Sequence, residues 1–228
     1  MIIGMSLDVP EQRPDLLDVA SWRRDYLHAE LCRADLHVSP LEQFHAWLVD
    51  AKKYTPVLEA TAMTLSTASA EGEVSSRIVL LKGYDENGFR FFTNTGSRKA
   101  QQIASNSSVS LLFYWESMER QIQINGRACL LPRTETEAYF AIRPRESRLA
   151  AWASSQSEVI PDRKTLEMRV AEMRTRFTDL EVPTPDFWSG YLVTPHQYEF
   201  WQGRSNRLHD RFRYQLREGS WAIDRLSP

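Results

Sequence analysis

Apolar positions along this chain follow two periods in turn. Phe44, Trp47 and Leu48 recur at helical spacing, and the residues just before them signal a start: Ser39 can cap, Pro40 suits the first helical position and Glu42 completes a capping box. A helix is expected from there to about Tyr54. From Ala62 the period shortens to two, and strands are expected over 62–69, 74–84, 89–93, 109–115 and 121–131. Glu71-Gly72 and Glu86-Asn87-Gly88 supply the turns of an antiparallel meander. In Gln121-Ile122-Gln123-Ile124 the alternation puts isoleucine on one face and glutamine on the other.

Helical stretches interrupt the strands. One is expected over 97–105, with Arg98 and Lys99 in its first turn; another over 134–142, opened by a capping box of Thr134 and Glu137; a third over 162–177. The end returns to strands over 190–201, 210–216 and 221–226, the last hairpin turning at Glu218-Gly219. A mainly β chain with helical additions, α+β in class, favours a small barrel. With 228 residues, 42% of them hydrophobic, one domain with a real core is expected over 21–228, preceded by a disordered segment over 1–20. Trp22-Arg23-Arg24-Asp25-Tyr26 is expected in a solvated helical arm.

Composition narrows the function. A formal net charge of -2 argues against a general nucleic-acid binder, so any basic site is local. Cys32 and Cys129 have no metal-ligand neighbours and form no disulfide framework, which favours a reducing cytoplasm, and Met1-Ile2-Ile3-Gly4-Met5 is too short to span a membrane. The chain carries no GxGxxG, Walker loop, His-Glu-x-x-His or Gly-x-Ser-x-Gly motif, so dinucleotide, P-loop, zinc and acyl-transfer readings lack support, and no metal is expected.

Basic residues do gather. In Arg77-Ile78-Val79-Leu80-Leu81-Lys82, strand alternation puts Arg77 and Lys82 on opposite faces. In Thr95-Gly96-Ser97-Arg98-Lys99, free N–H groups at a helix start make an anion site, to which two cations add charge. Such helix starts ordinarily favour acids, so basic residues there call for an anion; the alternative is a set of solvated side chains. Tyr139 and Arg143, spaced i, i+4, share a helix face beside Arg145, Ser147 and Arg148. As a strand, Arg207, His209 and Arg211 would share one face, where three cationic groups need a compensating anion.

Taken in order from about Trp22 to the C-terminus, these segments resemble the pyridoxine 5'-phosphate oxidase family. The motifs are RIVLLK at 77–82, FFTNTGSRKA at 91–100, RQIQINGRA at 120–128, YFAIRPRESRLAAWASSQS at 139–157, FWSGYLV at 187–193, EFWQG at 199–203 and NRLHDRF at 206–212. The resemblance implies an FMN-binding split β-barrel working as a homodimer, with each FMN between subunits. It implies oxidation of pyridoxine or pyridoxamine 5'-phosphate to pyridoxal 5'-phosphate by hydride transfer from C4' to flavin N5, with O2 as acceptor and H2O2 as by-product.

By resemblance, Arg77, Arg98, Lys99 and Ser157 hold the FMN phosphate and ribityl chain. Ile78, Val79, Leu80, Lys82, Phe92, Thr93, Gln121, Gln156, Trp201 and Arg211 are further flavin contacts. Lys82, Tyr139, Arg143 and Ser147 match the grip on the substrate phosphate, Arg207 and His209 match catalytic residues flanking the pyridine ring, and Arg23 and Tyr26 match an arm that closes over the substrate. Phe92 stands where some relatives have Tyr, and Cys32 and Ala34 lie in an arm that is more basic in some relatives. Two alternatives share the scaffold: an oxidase of phenazine type, whose relatives lose the substrate-phosphate set, and a flavin-binding module without turnover.

Overall fold

The alternating runs do become strands, and the order of elements is α1 (Pro40–Lys53), β1 (Ala62–Ala68), β2 (Val74–Leu80), β3 (Gly83–Asp85) and β4 (Gly88–Asn94). Next come α2 (Arg98–Ser105), β5 (Ser108–Trp115), β6 (Arg120–Leu130), α3 (Arg133–Ala141), α4 (Arg145–Ala153) and α5 (Arg163–Arg176), then β7 (Trp188–Gln202), β8 (Asp210–Arg217) and β9 (Ser220–Leu226). The structure, a computed structural model, describes residues 25, 26, 29–54, 57 and 59–228. The segment 1–20 and Arg23 lie outside the described residues.

Among the described residues every strand pair is antiparallel, in the order β2-β1-β5-β6-β7-β4-β3, with β8 and β9 branching from β7. The branch follows from the length of β7. Its first half pairs with β4, its second half with β8, and β6 runs along both. Between the halves the β6–β7 register shifts at Asn125/Gly126, opposite Pro195, which has no N–H to donate to the ladder. Only a glycine fits at 126, because a Cβ there would sit 2.5 Å from the Thr194 carbonyl oxygen. The sheet therefore curls into a half-barrel around a core containing Phe44 and Trp47 of α1, Phe89 and Phe91 of β4, Phe113 of β5, and Ile122 and Ile124 of β6. Gln121 and Gln123 face out, as the alternation predicts.

A second, smaller core of Phe140, Leu149, Ala153, Met173, Phe177, Val182 and Trp188 joins α3, α4 and α5 to the start of β7. Several expectations need correction here. The strand expected over 74–84 breaks after Leu80: the N–H of Leu81 bonds to the Thr61 carbonyl, that of Lys82 to the Arg90 carbonyl, and β3 pairs with β4 instead of β1. Helix α3 starts one residue early, capped by Pro132 with no side-chain cap, so Thr134 closes no capping box; Arg133 instead bonds Glu137 at 2.8 Å. No helix was expected over α4. Asp25 and Tyr26, the described part of the expected helical arm, are not helical, and neither are residues 29–32: the Leu31 N–H donates to the Asp210 carboxylate at 3.1 Å and Leu31 is buried. No described helix is long and apolar enough to cross a membrane.

Candidate active site

A cavity of about 990 Å³ opens between β2, the β4–α2 turn, the α3–α4 corner and the segment after α4. That is at the upper end of the range for small-molecule pockets. Among the described residues its lining includes five cationic side chains, Arg77, Lys82, Arg98, Lys99 and Arg143, and not one carboxylate. Like charges gathered in a partly desolvated space repel one another unless an anion enters. Ile78, Val79, Leu80, Phe92, Thr93, Tyr139, Ser147, Gln156 and Ser157 line the same cavity. The opposite-face expectation for Arg77 and Lys82 is thus corrected: the chain leaves β2 before Lys82, and both side chains reach one cavity.

Arg77 is held from behind. One Nη donates to the Leu65 carbonyl at 3.0 Å and to Thr67 Oγ1 at 2.7 Å, the other to Ser75 Oγ. Lys99, in the first turn of α2, is buried and donates to Gln156 Oε1 at 2.7 Å, Thr93 Oγ1 at 3.0 Å and Ser97 Oγ at 3.2 Å. Burial and the Arg77 charge pull its pKa down to about 8. The Arg98 N–H meets Ser157 Oγ at 3.2 Å, and the Asn94 amide donates to the Ser154 carbonyl at 3.1 Å, so the segment after α4 is pinned to the start of α2.

Across the cavity wall the rings of Phe92 and Tyr139 stack at 4.0 Å, and Trp188 stacks on Phe92 at 5.3 Å. Arg143 lies just past the end of α3, so it does not share a regular helical face with Tyr139, yet both reach the cavity. Its guanidinium sits 4.7 Å over the Trp188 ring, and its buried Nη1 has no hydrogen-bond partner among the described residues. Burial lowers the Arg143 pKa and raises that of Tyr139, whose hydroxyl stays protonated and able to donate. Arg145 and Arg148 turn elsewhere, to the carbonyls of Phe177 and Leu180 and to the carboxylate of Glu181. Sequence reasoning missed Ser75, Ser76, Asn94, Ser154 and Trp188 as lining residues. Trp188 had a signal in its place within the FWSGYLV run.

Among the described residues the other expected site residues, Tyr26, Gln121, Trp201, Arg207, His209 and Arg211, form a second group that does not line this cavity. Gln121, Trp201 and Arg211 are directly opposed across β6, β7 and β8, so their side chains make one row on the outer face. Arg211 bonds Glu199 at 2.8 Å. The His209 ring packs against Trp201 at 4.7 Å and Tyr26 at 5.4 Å, and Gly203 makes room: a Cβ there would meet the Tyr26 ring at 2.8 Å. The expected strand face of Arg207, His209 and Arg211 is corrected, because β8 begins only at Asp210. Ser205–Arg207 is a 3-10 turn in which Asn206 and Arg207 take positive φ, 55° and 62°. His209 is held below its ordinary pKa by burial and by the charges of Arg207 and Arg211. Its neutral ring accepts the Arg204 N–H at Nδ1, 3.1 Å away, which leaves the proton on Nε2 as a donor.

Comparison with known proteins adds an independent line. The family model described as Pyridoxamine 5'-phosphate oxidase matches residues 51–177, and that described as Pyridoxine 5'-phosphate oxidase C-terminal dimerisation region matches 188–228. A Rippkaea orientalis protein named pyridoxine/pyridoxamine 5'-phosphate oxidase is 50% identical over 213 residues, 93% of this chain and 100% of that one. Its Teredinibacter turnerae namesake is 52% identical over 206 residues, 90% of this chain and 97% of that one. Among solved structures, PhzG from Burkholderia lata in complex with tetrahydrophenazine-1-carboxylic acid superposes with a TM-score of 0.80 at 32% identity, covering 86% of this chain and 95% of that one.

Proposed function

The chain belongs to the pyridoxamine 5'-phosphate oxidase family, and from that premise we propose how its cavity serves the family's reaction. The protein is a homodimeric FMN-dependent oxidase that converts pyridoxine 5'-phosphate or pyridoxamine 5'-phosphate to pyridoxal 5'-phosphate, with O2 as electron acceptor and H2O2 as by-product. The observation that carries the site assignment is the cavity itself: among the described residues, five cations, no carboxylate and an Arg143 Nη1 without a partner fit a pair of phosphate-bearing ligands. We place the protein in the cytoplasm on the strength of its two free, exposed cysteines.

FMN when bound supplies the hydride-accepting ring and the reaction with O2; the chain supplies placement. In this reading Arg77, Arg98, Lys99 and Ser157 hold the flavin phosphate and ribityl chain, with Thr93 and Gln156 orienting the Lys99 ammonium through the bonds it already makes. Lys82, Tyr139, Arg143 and Ser147 take the substrate phosphate, the Tyr139 hydroxyl and the Arg143 guanidinium donating side by side. Arg207 and His209 flank the substrate ring, His209 as an Nε2–H donor, and Tyr26 covers them. Fixing the ring in this way lowers the entropic part of the barrier.

A phenazine-type substrate is the second reading, favoured by the Burkholderia lata likeness. Oxygen uptake by the FMN-loaded protein separates the two: turnover of pyridoxine 5'-phosphate is expected, and its absence beside turnover of tetrahydrophenazine-1-carboxylic acid would overturn the B6 assignment. The purified apo-protein is also expected to bind FMN far more tightly than riboflavin. Equal affinities would remove the phosphate role of Arg77, Arg98 and Lys99.

A pH dependence follows from Lys99. Without ligand its folded pKa of about 8 lies below its ordinary 10.5, so its burial costs stability below pH 8, and the cost fades as pH rises toward the ordinary value. Phosphate favours the protonated ammonium, so binding near or above pH 8 draws a proton onto Lys99. FMN affinity is expected to fall above pH 8, by up to about tenfold per pH unit. Calorimetry at pH 8.5 in buffers of different ionisation enthalpy reads the proton uptake; a flat affinity with no uptake would contradict the contact.

A further inference from the structure

Behind Arg77 lies a relay of three side chains, Thr67, Ser75 and Gln102, of which only Ser75 touches the cavity. Gln102 of α2 is 5% exposed and Thr67 of β1 is 2% exposed, and neither lines the cavity. The hydroxyls of Thr67 and Ser75 each lie 2.6 Å from the single oxygen Gln102 Oε1. The same two hydroxyl oxygens are the acceptors of Arg77 Nη1 and Nη2. A guanidinium only donates, so each hydroxyl must accept from Arg77 and spend its one proton elsewhere. Gln102 Oε1 takes both protons. The amide cannot turn round without losing its own bond, since Gln102 Nε2 donates to the Glu73 carbonyl at 3.0 Å.

We infer that Gln102 is a positioning residue, which fixes the Arg77 guanidinium for the flavin phosphate through the hydroxyls of Thr67 and Ser75. The inference rests on the reading of Arg77 as a phosphate ligand. Its physical need is plain: the charges of Arg77, Arg98 and Lys99 repel one another, and a guanidinium held by the Leu65 carbonyl alone could turn away from the other two. Reversing the amide would present N–H groups to both hydroxyls and break the chain of acceptors. Sequence separation hides the relay, because Thr67, Ser75 and Gln102 come from three different elements.

The test compares FMN and riboflavin affinities of the full-length apo-protein by fluorescence titration. Gln102→Met is expected to weaken FMN binding about tenfold by freeing Arg77, while riboflavin binding stays unchanged. Ser75→Ala, a small change on the half-exposed edge strand β2, should move the ratio the same way by less. In an Arg77→Met background, neither Gln102→Met nor Ser75→Ala should add anything; a loss that Ser75→Ala still adds there would mean that Ser75 meets the phosphate directly, and would overturn the relay. If Gln102→Met weakens both flavins equally, Gln102 only supports the fold and the proposal is overturned. An unchanged ratio in Ser75→Ala overturns it too, and decides the matter if Gln102→Met does not fold. Additive losses in the double variant overturn the relay alone. An unchanged ratio in Arg77→Met overturns the reading of Arg77 and takes the relay with it.

Discussion

Arg143→Met is expected to raise the KM for pyridoxine 5'-phosphate roughly ten- to a hundredfold, while FMN stays bound and the apo-protein is no less stable. The first part follows from the charge: a guanidinium bond to phosphate contributes about 1.5–3 kcal/mol. The second follows from the lining, since the reading that gives Arg143 to the substrate gives the flavin phosphate to Arg77, Arg98 and Lys99. The third is a balance of opposing terms. Arg143 Nη1 is buried without a partner among the described residues, a desolvation cost in the ligand-free protein that the substitution removes. Against it stands the loss of the cation over the Trp188 and Phe140 rings, about 0.5–2 kcal/mol. Methionine recovers part of that through its own contact with the rings. Steady-state oxygen uptake, flavin absorbance after gel filtration and thermal melting of the apo-protein read the three parts. An unchanged KM, or flavin lost in place of substrate, would show that Arg143 serves something else.

How far the sequence revealed this site depended on the kind of signal. Local periodicity was enough for β6, whose isoleucines face in and glutamines out, and for α1, whose Ser39 hydroxyl does accept the Glu42 N–H. It failed at α4. Pro144 reads as a break, and RESRLAAWA buries only Leu149 and Ala153, too few apolar positions to show a period. It failed again at Leu81 and at Arg207, where a tertiary bond to Thr61 and a left-handed turn end the strand pattern that alternation would continue. The residue types of the site were legible from the motifs, because cations crowded at strand ends and helix starts need an anion. Their partition was not. Only the folded chain separates those lining the cavity from the row across β6, β7 and β8.

That partition leads to the prediction with the larger effect. At a substrate concentration near the wild-type KM, Arg143→Ala and Arg207→Ala homodimers are each expected to turn over poorly, yet the mixed dimer of the two should recover about half of wild-type activity. Gln121, Trp201, Arg207, His209 and Arg211 do not line the cavity of their own chain, and all but Gln121 fall inside the dimerisation match over 188–228. If one working site takes its cavity from one protomer and this second group from the other, the mixed dimer carries one site with both defects and one with neither. If both groups served a site within one chain, each site would carry one defect and mixing would restore nothing. Coexpression with two different tags and sequential affinity capture isolates the mixed dimer, and oxygen uptake per flavin reads the outcome. Activity no higher than that of either parent would place the two groups in one chain's site and overturn the shared-site reading.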